Sequence, residues 1–388
     1  MSQTTTISHR GAQRWARGHP WIFRSDVRRR PEAPAGVVRV RDEQGRWLGV
    51  ALWSPSSEIS LRRLDEDPDA RIDPGWWRAR LGAAIARRVA LGIDATAYRL
   101  VHAEGDGLPA LVCDRYDRWL VVQFLSAGLE PFRESIVEAL VSLTGAEGVL
   151  ARNDASVRSR EALPREVVLL HGDVPREVIV REAGVRYAAA PWTGQKTGAF
   201  LDQRENRVLL GALASGRALD CFSYHGSFAL HLAGRATHVT ALDASADALA
   251  RARANVDRNG LTNVECVEAN AFDFLREQDR AGARWDTIVL DPPAFAKTRD
   301  SLEGALRGYH EINLRAMRLL APGGILYTAS CSYHLTRGLF LEMIAGAAAD
   351  SGRPLVLRQM VGQSLDHPEV VTIPETGYLK GVVLQAGG

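Results

Sequence analysis

Short apolar runs separated by turn residues dominate the first part of the chain. The runs VVRV, WLGVALW and ISLRRL lie between residues 35 and 64, and the turn signals DEQG and SPSS separate them. Runs of this length that are rich in β-branched and aromatic residues are typical of strands. We therefore predict a small β-barrel or sandwich that ends at the stretch DEDPDARIDPG, and we assign it to residues 1–73.

A mixture of helical and strand patterns follows. The segment WWRARLGAAIARRVALG has the apolar spacing of a helix that ends at Gly92. The segment LPALVCDRYDRWLVVQFL predicts two strands joined by a turn at Asp114 to Arg118, and PFRESIVEALVSL predicts a helix. Further strands are expected in EVVLLHGD and EVIVREAGVRYAA. These elements predict a central α+β module over residues 74–187.

From Ala218 the pattern changes to an alternation of strands and helices. ALDCF, HVTALD, VECVEA, DTIVLD and GILYTAS are short apolar runs that suit buried parallel strands. The intervening segment SADALARARANVDRNG predicts a helix with Ser245 as its N-cap and a stop at Asn259–Gly260. Two final strands are expected in PLVLRQM and YLKGVVLQ. This alternation indicates an α/β fold with a Rossmann-like doubly wound sheet, and we assign it to residues 188–388.

Composition narrows the class of protein. A chain of 388 residues with 46% hydrophobic content exceeds one ordinary domain. No apolar stretch approaches the roughly 20 residues of a membrane-spanning helix, and the start MSQTTTISHR lacks the apolar core of a signal peptide. We therefore expect a cytoplasmic protein with no membrane partner. The cysteines lie far apart without zinc-ligand spacing, which predicts free thiols and no metal. They are Cys113, Cys221, Cys266 and Cys331.

Residues 1–30 form a basic segment with seven Arg against one acid, Asp26. Aromatic residues are interleaved with these arginines, which suits a surface that pairs with phosphates and stacks on bases. The aromatics are Trp15, Trp21 and Phe23, and the arginines that we select as RNA contacts are Arg14, Arg17 and Arg24. The alternative is that arginine is enriched throughout the chain for reasons of genome composition, because only three lysines accompany the many arginines.

A cofactor site is predicted where the first strand of the alternating region ends. In ALDCFSYHGSFALHLA the strand ends at Asp220 to Phe222, and a loop containing Gly226 turns into a helix. Asp243 ends the next strand 23 residues later, a spacing that suits an acid accepting ribose hydroxyls. The loop lacks the GxGxxG of dinucleotide sites, which favours S-adenosylmethionine over NAD or ATP. Asn270 suits the adenine amino group, and the alternative for it is an exposed turn residue.

A chemical site is predicted at the ends of two later strands. VLDPPAF places Asp291 at a strand end, and ILYTASCSYH brings Cys331 to the same edge of the sheet. Carbon 5 of cytosine becomes nucleophilic when a thiolate adds to carbon 6 and an acid near ring nitrogen 3 shares a proton. Cys331 and Asp291 suit these roles, although a cysteine in an apolar run is more often inert core. Cys221 is the rival thiol, for which packing is the better interpretation.

Taken in order, these motifs resemble one family over nearly the whole chain: the bacterial 23S rRNA cytosine-C5 methyltransferases with an N-terminal PUA domain and a class I methyltransferase domain. RGHPWIF resembles the start of that PUA domain, and GDGLPALVCDRY, LSAGLEPFRESIVEAL and ARNDASVRSRE resemble its central module. GQKTGAFLDQREN, ALDCFSYHGSF, LDASADAL, LDPPAFAKT, SCSYH and DHPEVVTIPETGYLKG then follow in the family's order. The single motifs are shared with many methyltransferases, but their joint order is specific.

The resemblance implies S-adenosylmethionine as cofactor, 23S rRNA or a large-subunit precursor as substrate, and Cys331 as nucleophile. The implied and inferred cofactor contacts are Phe200, Asp202, Arg204, Asp220, Phe222, Gly226, Asp243, Ala244, Asn270, Ala271 and Asp291. The expected RNA contacts outside the basic segment are Pro293, Phe295 and Lys297, and an extruded cytosine would stack on Phe295 or Tyr333.

Two departures from related enzymes leave points open. Related RNA cytosine methyltransferases often carry a second cysteine after the aspartate-proline motif, whereas this chain reads DPPAFAKT, so the base that removes the carbon 5 proton is unassigned. His334 is a hypothesis for that base. Tyr224-His225 replaces a smaller Thr-Gly in the cofactor loop.

The alternatives for function are methylation of another group without a thiolate, and a ribosome-assembly factor that binds RNA without catalysis. The sequence leaves open which nucleotide is modified, whether naked rRNA or a particle is the substrate, and whether the protein forms a homodimer.

Overall fold

A computed structural model describes residues 3–296 and 300–387, and the chain divides into two compact units. The first unit comprises Met1–Val180, Ala189–Leu201 and Leu365–Thr376. The second unit comprises Arg181–Ala188, Asp202–Ser364 and Gly377–Gly388. The predicted division into three domains stays a prediction. No helix within the described ranges combines the length and the apolar character that crossing a membrane requires.

The first unit begins with a six-stranded sheet of order β2-β6-β5-β4-β1-β3. Its strands are β1 (Thr4–Ile7), β2 (Trp21–Phe23), β3 (Val27–Arg29), β4 (Gly36–Asp42), β5 (Trp47–Trp53) and β6 (Ile59–Asp65). The three strands expected between residues 35 and 64 are therefore confirmed. The pattern did not predict β1 or helix α1 (His9–Ala16), which Ser8 caps by accepting the amide of Gly11 at 3.1 Å. Trp15 on α1 is buried in the core of this sheet.

A second, five-stranded sheet in the first unit has the order β11-β10-β9-β8-β7. Its strands are β7 (Ala97–His102), β8 (Leu111–Tyr116), β9 (Trp119–Phe124), β10 (Gly148–Asn153) and β11 (Glu166–Gly172). The helices of this region are α2 (Pro74–Ala90), α3 (Arg133–Thr144) and α4 (Val157–Arg160). The helix predicted from the apolar spacing is α2; Asp73 caps it, and Trp77 and Leu81 on its apolar face are buried in the core beside this sheet.

The turn predicted at Asp114 to Arg118 begins later than expected, because β8 continues to Tyr116. Asp114 is a buried strand residue whose carboxylate accepts hydrogen bonds from Arg99 Nε at 2.8 Å and from the Thr197 hydroxyl at 2.6 Å. Asp is common in turns, but here an arginine partner on the neighbouring strand compensates its burial. A hairpin of β12 (Val178–Glu182) and β13 (Val185–Ala189) follows along the chain.

The second unit is built on a seven-stranded sheet of order β16-β15-β14-β17-β18-β20-β19. Its strands are β14 (Arg217–Cys221), β15 (His238–Asp243), β16 (Val264–Glu268), β17 (Trp285–Leu290), β18 (Leu320–Ser330), β19 (Leu355–Val361) and β20 (Lys380–Ala386). Its helices are α5 (Arg204–Leu213), α6 (Ser227–Leu232), α7 (Ala246–Arg258), α8 (Ala271–Arg280), α9 (Leu302–Leu319) and α10 (Arg337–Ser351). The strands β14 to β18 are parallel, and β20 runs antiparallel to β18. The predicted doubly wound sheet and its two final strands are therefore confirmed.

Helix α7 illustrates how local signals set these elements. The Ser245 hydroxyl accepts the amide of Ala248 at 3.2 Å, which is the N-cap contact that the sequence predicted, and Leu249 and Ala252 are buried. The strand order places the start of the sheet, β14, between β15 and β17. From β14 the chain first adds strands on one side of the sheet and then on the other, so this is the topological switch point. Ligands of such sheets are expected beyond the carboxyl ends of the strands at this point.

Candidate active site

The loop after β14 takes a conformation that few residues adopt. Phe222, Tyr224 and Gly226 have φ angles of 65°, 51° and 81°, in the left-handed region that disfavours side chains with a Cβ. Asp243, at the end of β15, holds the loop by accepting the amide of Tyr224 at 2.9 Å. At Gly226 a Cβ would lie only 3.2 Å from that of Ala252. The loop thus holds Tyr224 at a φ angle of 51° and leaves little room for a side chain at position 226.

Three carboxylates meet near this loop: Asp220, Asp243 and Asp291. Asp220 is 1% exposed; its Oδ2 accepts the amide of Ala229 at 3.0 Å, and its Oδ1 has no hydrogen-bond partner among the described residues. Burial raises the pKa of Asp220 well above its usual range, and the negative charges of Asp291 and Asp243 add to this effect. A buried acceptor without a partner is costly, so the position suits a ligand that brings a donor or a positive charge. S-adenosylmethionine carries both, as an ammonium and a sulfonium group.

The other predicted cofactor contacts at the strand ends differ in exposure. Asp243 is half-buried and accepts one backbone amide on each oxygen, which leaves lone pairs for ribose hydroxyls. Asn270 caps α8, and its side-chain oxygen accepts the amides of Phe272 at 2.9 Å and Asp273 at 3.4 Å. A hydrogen bond from the adenine amino group to this oxygen stays a prediction. The oxygen would then accept it in addition to the two backbone amides of the cap. Ala244 is exposed and Ala271 is buried.

The segment from Phe200 to Arg204 runs from one unit into the other. Phe200 belongs to the first unit, where Lys196 Nζ lies 4.8 Å from its ring centroid. Asp202 belongs to the second unit and accepts the Tyr378 hydroxyl at 2.7 Å. Arg204 is buried and contacts Glu205 at 3.2 Å. Their roles toward the cofactor stay predictions.

Gln203 lies within the same motif and was not predicted. Its Nε2 donates to Asp291 Oδ1 at 2.8 Å, and its Oε1 accepts from the Tyr327 hydroxyl at 2.8 Å and from Asn206 Nδ2 at 2.6 Å. Because the donors on Oε1 fix the orientation of the amide, Gln203 presents its NH₂ group to Asp291. The position inside the GAFLDQR motif is the one sequence signal that could have drawn attention to it.

A buried ion pair between Glu182 and Arg207 lies next to the cofactor loop. Glu182 accepts hydrogen bonds from Arg207 at 2.6 Å on each oxygen, and His231 Nε2 lies 3.0 Å from Oε1. Burial alone would raise the pKa of Glu182, but the Arg207 guanidinium and the His231 contact outweigh it and lower the pKa. Tyr187 also donates to Glu182 at 3.1 Å, and its ring stacks on His225 of the loop at 5.0 Å. Burial, together with the charge of Arg207, lowers the pKa of His225 to about 3, so its ring is neutral.

The loops that carry Asp291 and Cys331 follow adjacent parallel strands. Leu290 on β17 pairs with Thr328 on β18, so both loops leave the same edge of the sheet. The Tyr309 hydroxyl of α9 links the two loops. It lies 2.9 Å from the hydroxyls of Ser330 and Ser332, which flank Cys331, and 3.4 Å from the amide of Phe295. The amide of Ala296 also donates to the Ser332 hydroxyl at 3.2 Å.

The four cysteines differ in their environments. Cys113 and Cys221 are fully buried, and burial raises the pKa of both thiols, as partial burial does for Cys266. Cys331 is partly exposed at the end of β18. The interpretation of Cys221 as a packing residue agrees with its position in the core beside Leu219 and Leu290. Among the thiols, Cys331 is the one that combines access with a place beside Asp291's loop.

The predicted base-stacking residues occupy two kinds of position. Phe295 is half-buried and its ring packs on Tyr309 at 4.6 Å and on Phe272 at 5.9 Å between centroids. Tyr333 is 59% exposed, and its ring meets that of His334 edge-on at 5.3 Å. Pro293 is exposed, and Lys297 lies outside the described residues.

The residues of the N-terminal basic segment differ in exposure and in ion pairing. Arg14 contacts Asp26 at 3.3 Å and lies 4.7 Å above the ring of Phe23, and Arg24 contacts Glu58 at 3.5 Å. Arg17 is exposed and forms no ion pair within the described ranges. The expectation that Trp15 is available to stack on bases is wrong, because packing on the sheet buries its ring.

Comparisons with known proteins agree with this architecture. Residues 6–66 match the profile of a PUA-like domain, and residues 100–369 match that of the S-adenosylmethionine-dependent methyltransferases. The chain is 41% identical over 381 residues to ribosomal RNA large subunit methyltransferase I of Aeromonas salmonicida, covering 95% of this chain and 96% of the relative. The protein of the same name from Tolumonas auensis is 40% identical over 399 residues, covering both chains completely.

Solved structures share the fold. A structure described as an S-adenosylmethionine-dependent methyltransferase from Streptococcus mutans superposes with a TM-score of 0.83 at 20% identity, covering 99% of this chain and 100% of the other. A methyltransferase complexed with S-adenosylhomocysteine superposes with a TM-score of 0.84 at 20% identity and the same coverage.

Proposed function

Because the chain belongs to the family of ribosomal RNA large subunit methyltransferase I, we propose that it methylates carbon 5 of a cytosine in 23S ribosomal RNA through a covalent adduct with Cys331. The Tyr309 hydroxyl carries this proposal, because it couples the Cys331 loop to the loop that follows Asp291. Both loops lie at the sheet edge where one buried oxygen of Asp220 has no hydrogen-bond partner among the described residues. An accessible thiol, an acid and a cofactor site are the parts that carbon 5 methylation needs.

In the proposed reaction the Cys331 thiolate forms a bond from Sγ to carbon 6 of the ring. The electrons of the carbon 5–carbon 6 double bond move onto carbon 5 and toward ring nitrogen 3, where Asp291 shares a proton. Gln203, through its bond to Oδ1, keeps the Asp291 carboxyl in one orientation. When bound, S-adenosylmethionine supplies an electrophilic methyl group that carbon 5 takes up.

The adduct then has to lose the proton that remains on carbon 5. A base removes this proton, the carbon 5–carbon 6 double bond re-forms, and the bond to Sγ breaks to return the thiolate. We propose His334 as this base. Its partly exposed ring lies three residues after Cys331, in the same segment between β18 and α10.

Binding of the RNA is assigned to the PUA-like region and to the exposed surface near Cys331. Arg17 and the partly exposed Arg14 and Arg24 would pair with phosphates, so affinity should fall with rising salt. Tyr333 would stack on the extruded cytosine, because its ring is exposed beside Cys331.

The reaction is tested by product identity. We would incubate the protein with S-adenosylmethionine and unmodified 23S rRNA and quantify methylated nucleosides by mass spectrometry, alongside Cys331→Ala and the control Cys266→Ala. We expect 5-methylcytidine from the wild type and from Cys266→Ala, and none from Cys331→Ala. Another methylated nucleoside, or activity in Cys331→Ala, would contradict the thiolate mechanism. Cofactor binding without any product on rRNA or on subunit particles would favour the assembly-factor alternative.

The adduct itself can be trapped with RNA that carries 5-fluorocytidine. Fluorine cannot leave as a cation, so elimination is blocked after methyl transfer, and the protein stays attached to the RNA in denaturing gels. Wild type should give this species and Cys331→Ala should not. On ordinary RNA, His334→Ala should accumulate the adduct, because the carbon 5 proton is no longer removed. Full turnover by His334→Ala would exclude that base.

A further inference from the structure

Lys380 is a buried lysine that the proposed reaction has not used. It is the first residue of β20 and lies opposite Ser330 in the antiparallel register with β18. Its side chain is buried, and its Nζ donates to the carbonyl oxygen of Ser332 at 2.8 Å. Because Ser330 and Ser332 immediately precede and follow Cys331, the ammonium group lies beside the turn that holds the thiol.

The charge of Lys380 has no carboxylate to balance it in the part of the chain that the structure describes. Its one hydrogen bond goes to a neutral carbonyl, and the titratable groups that act on it are Cys331 and Arg337. A buried ammonium without an anion is unfavourable, whereas a buried ammonium beside an anion is stabilised. The Cys331 thiolate favours the charged form of Lys380, and the Arg337 guanidinium opposes it.

We propose that Lys380 is the positioning residue that holds Cys331 as a thiolate, through an ion pair between its ammonium and Sγ. In forming the pair, the S–H bond of Cys331 breaks, its electron pair stays on sulfur, and the proton passes to solvent, because Lys380 as an ammonium already carries three N–H bonds. A positive charge beside a cysteine lowers the pKa of its thiol. The use of this thiolate in methylation rests on the proposed function, but the ion pair is a property of the free protein.

The protonation state of Lys380 at neutral pH agrees with this role. Burial, helped by Arg337, lowers its pKa to about 8 in spite of the opposing effect of Cys331. Lys380 is therefore still mostly protonated at pH 7, which is the state that an ion pair requires. After elimination, the thiolate returns to the same ammonium, so the pair is restored for the next cycle.

The ion pair is tested by the reactivity of Cys331 without cofactor or RNA. The full chain is treated with iodoacetamide between about pH 6 and about pH 9.5, and the alkylation rate of each cysteine is followed by peptide mass spectrometry. The Cys331 rate should rise with a midpoint below the roughly 8.5 of a free cysteine. In Lys380→Met the midpoint should rise by at least about one pH unit and the rate at pH 7 should fall about tenfold, with Lys380→Arg restoring both.

Controls separate charge from structure. Cys266 should alkylate at the same rate in all variants, because Lys380 does not act on it. At high pH the Cys331 rates of wild type and Lys380→Met should converge, whereas a structural role would change the rate at every pH. A wild-type midpoint at or above about 8.5 overturns the proposal even if Lys380→Met does not fold. A lowered midpoint combined with no 5-methylcytidine on rRNA would leave the ion pair standing and refute the proposed function instead.

Discussion

The substitution Tyr309→Phe removes only the hydroxyl that joins the Asp291 loop to the Cys331 loop. That hydroxyl is the partner of Ser330 and Ser332 at 2.9 Å each and of the Phe295 amide at 3.4 Å. The ring packing on Phe295 is kept. At about 1 kcal/mol for each hydrogen bond lost, the free energy of unfolding should fall by about 2–3 kcal/mol.

The effect on catalysis should exceed what this loss of stability explains. Both serine side chains are buried, and without the Tyr309 hydroxyl they keep only the bonds that they accept from the amides of Ala296 and Ser332, which should shift the segment that holds Cys331. A displacement of about 1 Å of a reacting group costs up to roughly 100-fold in rate. We therefore expect single-turnover methylation to slow by about tenfold or more under conditions where the variant is folded.

The assay pairs urea denaturation with single-turnover methylation of 23S rRNA at saturating cofactor. Tyr98→Phe serves as the control, because no hydrogen bond of the Tyr98 hydroxyl is found among the described residues; both quantities should stay unchanged in it. If Tyr309→Phe lost stability but methylated at the wild-type rate, the coupling of the two loops would have no role in the reaction. If neither changed, the hydrogen-bond network itself would be refuted.

Asp220→Asn should weaken S-adenosylmethionine binding by at least about tenfold, since a charged hydrogen bond is worth about 1.5–3 kcal/mol; equal affinity in calorimetry for this variant and for the exposed control Asp273→Asn would remove Asp220 from the cofactor site. Glu182→Gln should lower the free energy of unfolding by about 3–5 kcal/mol, because it leaves the buried Arg207 without its charge partner. Since the pKa of Glu182 is lowered in the folded protein, its stabilisation is present above the ordinary carboxyl pKa and is lost as the pH falls through the folded value; the wild type should therefore lose stability in acid more steeply than Glu182→Gln, and parallel pH curves in thermal melts would disprove this account. Arg17→Ala should weaken rRNA binding in filter assays and reduce the slope of log affinity against log salt by about one, whereas an unchanged slope would mean that Arg17 meets no phosphate.

Much of the fold follows from local patterns. The strands around the cofactor site were predicted because short apolar runs bounded by Asp, Gly and Pro have few other solutions. The place where each strand ends also located Asp220, Asp243 and Asp291, since parallel strands bring their carboxyl ends to one edge. The placement of the Asp114 turn was wrong because turn propensity was outweighed by the Arg99 partner on the neighbouring strand. Trp15 was misjudged because a short amphipathic helix beside arginines gives no sign of which ring is buried.

By itself, the sequence determined the order of the strands in the alternating region, the doubly wound sheet, the family and the position of Cys331 at a strand end. These features depend on neighbouring residues in the chain, on periodicity and on the order of motifs, and each of these is a property of the linear sequence. Only the tertiary structure brought Gln203 to Asp291 across 88 residues, Tyr309 to Ser332 across 23 and Lys380 to Ser332 across 48. Such contacts depend on strand register and helix packing in three dimensions, because a hydrogen bond requires its two atoms to meet within about 3 Å, and no local pattern specifies that meeting.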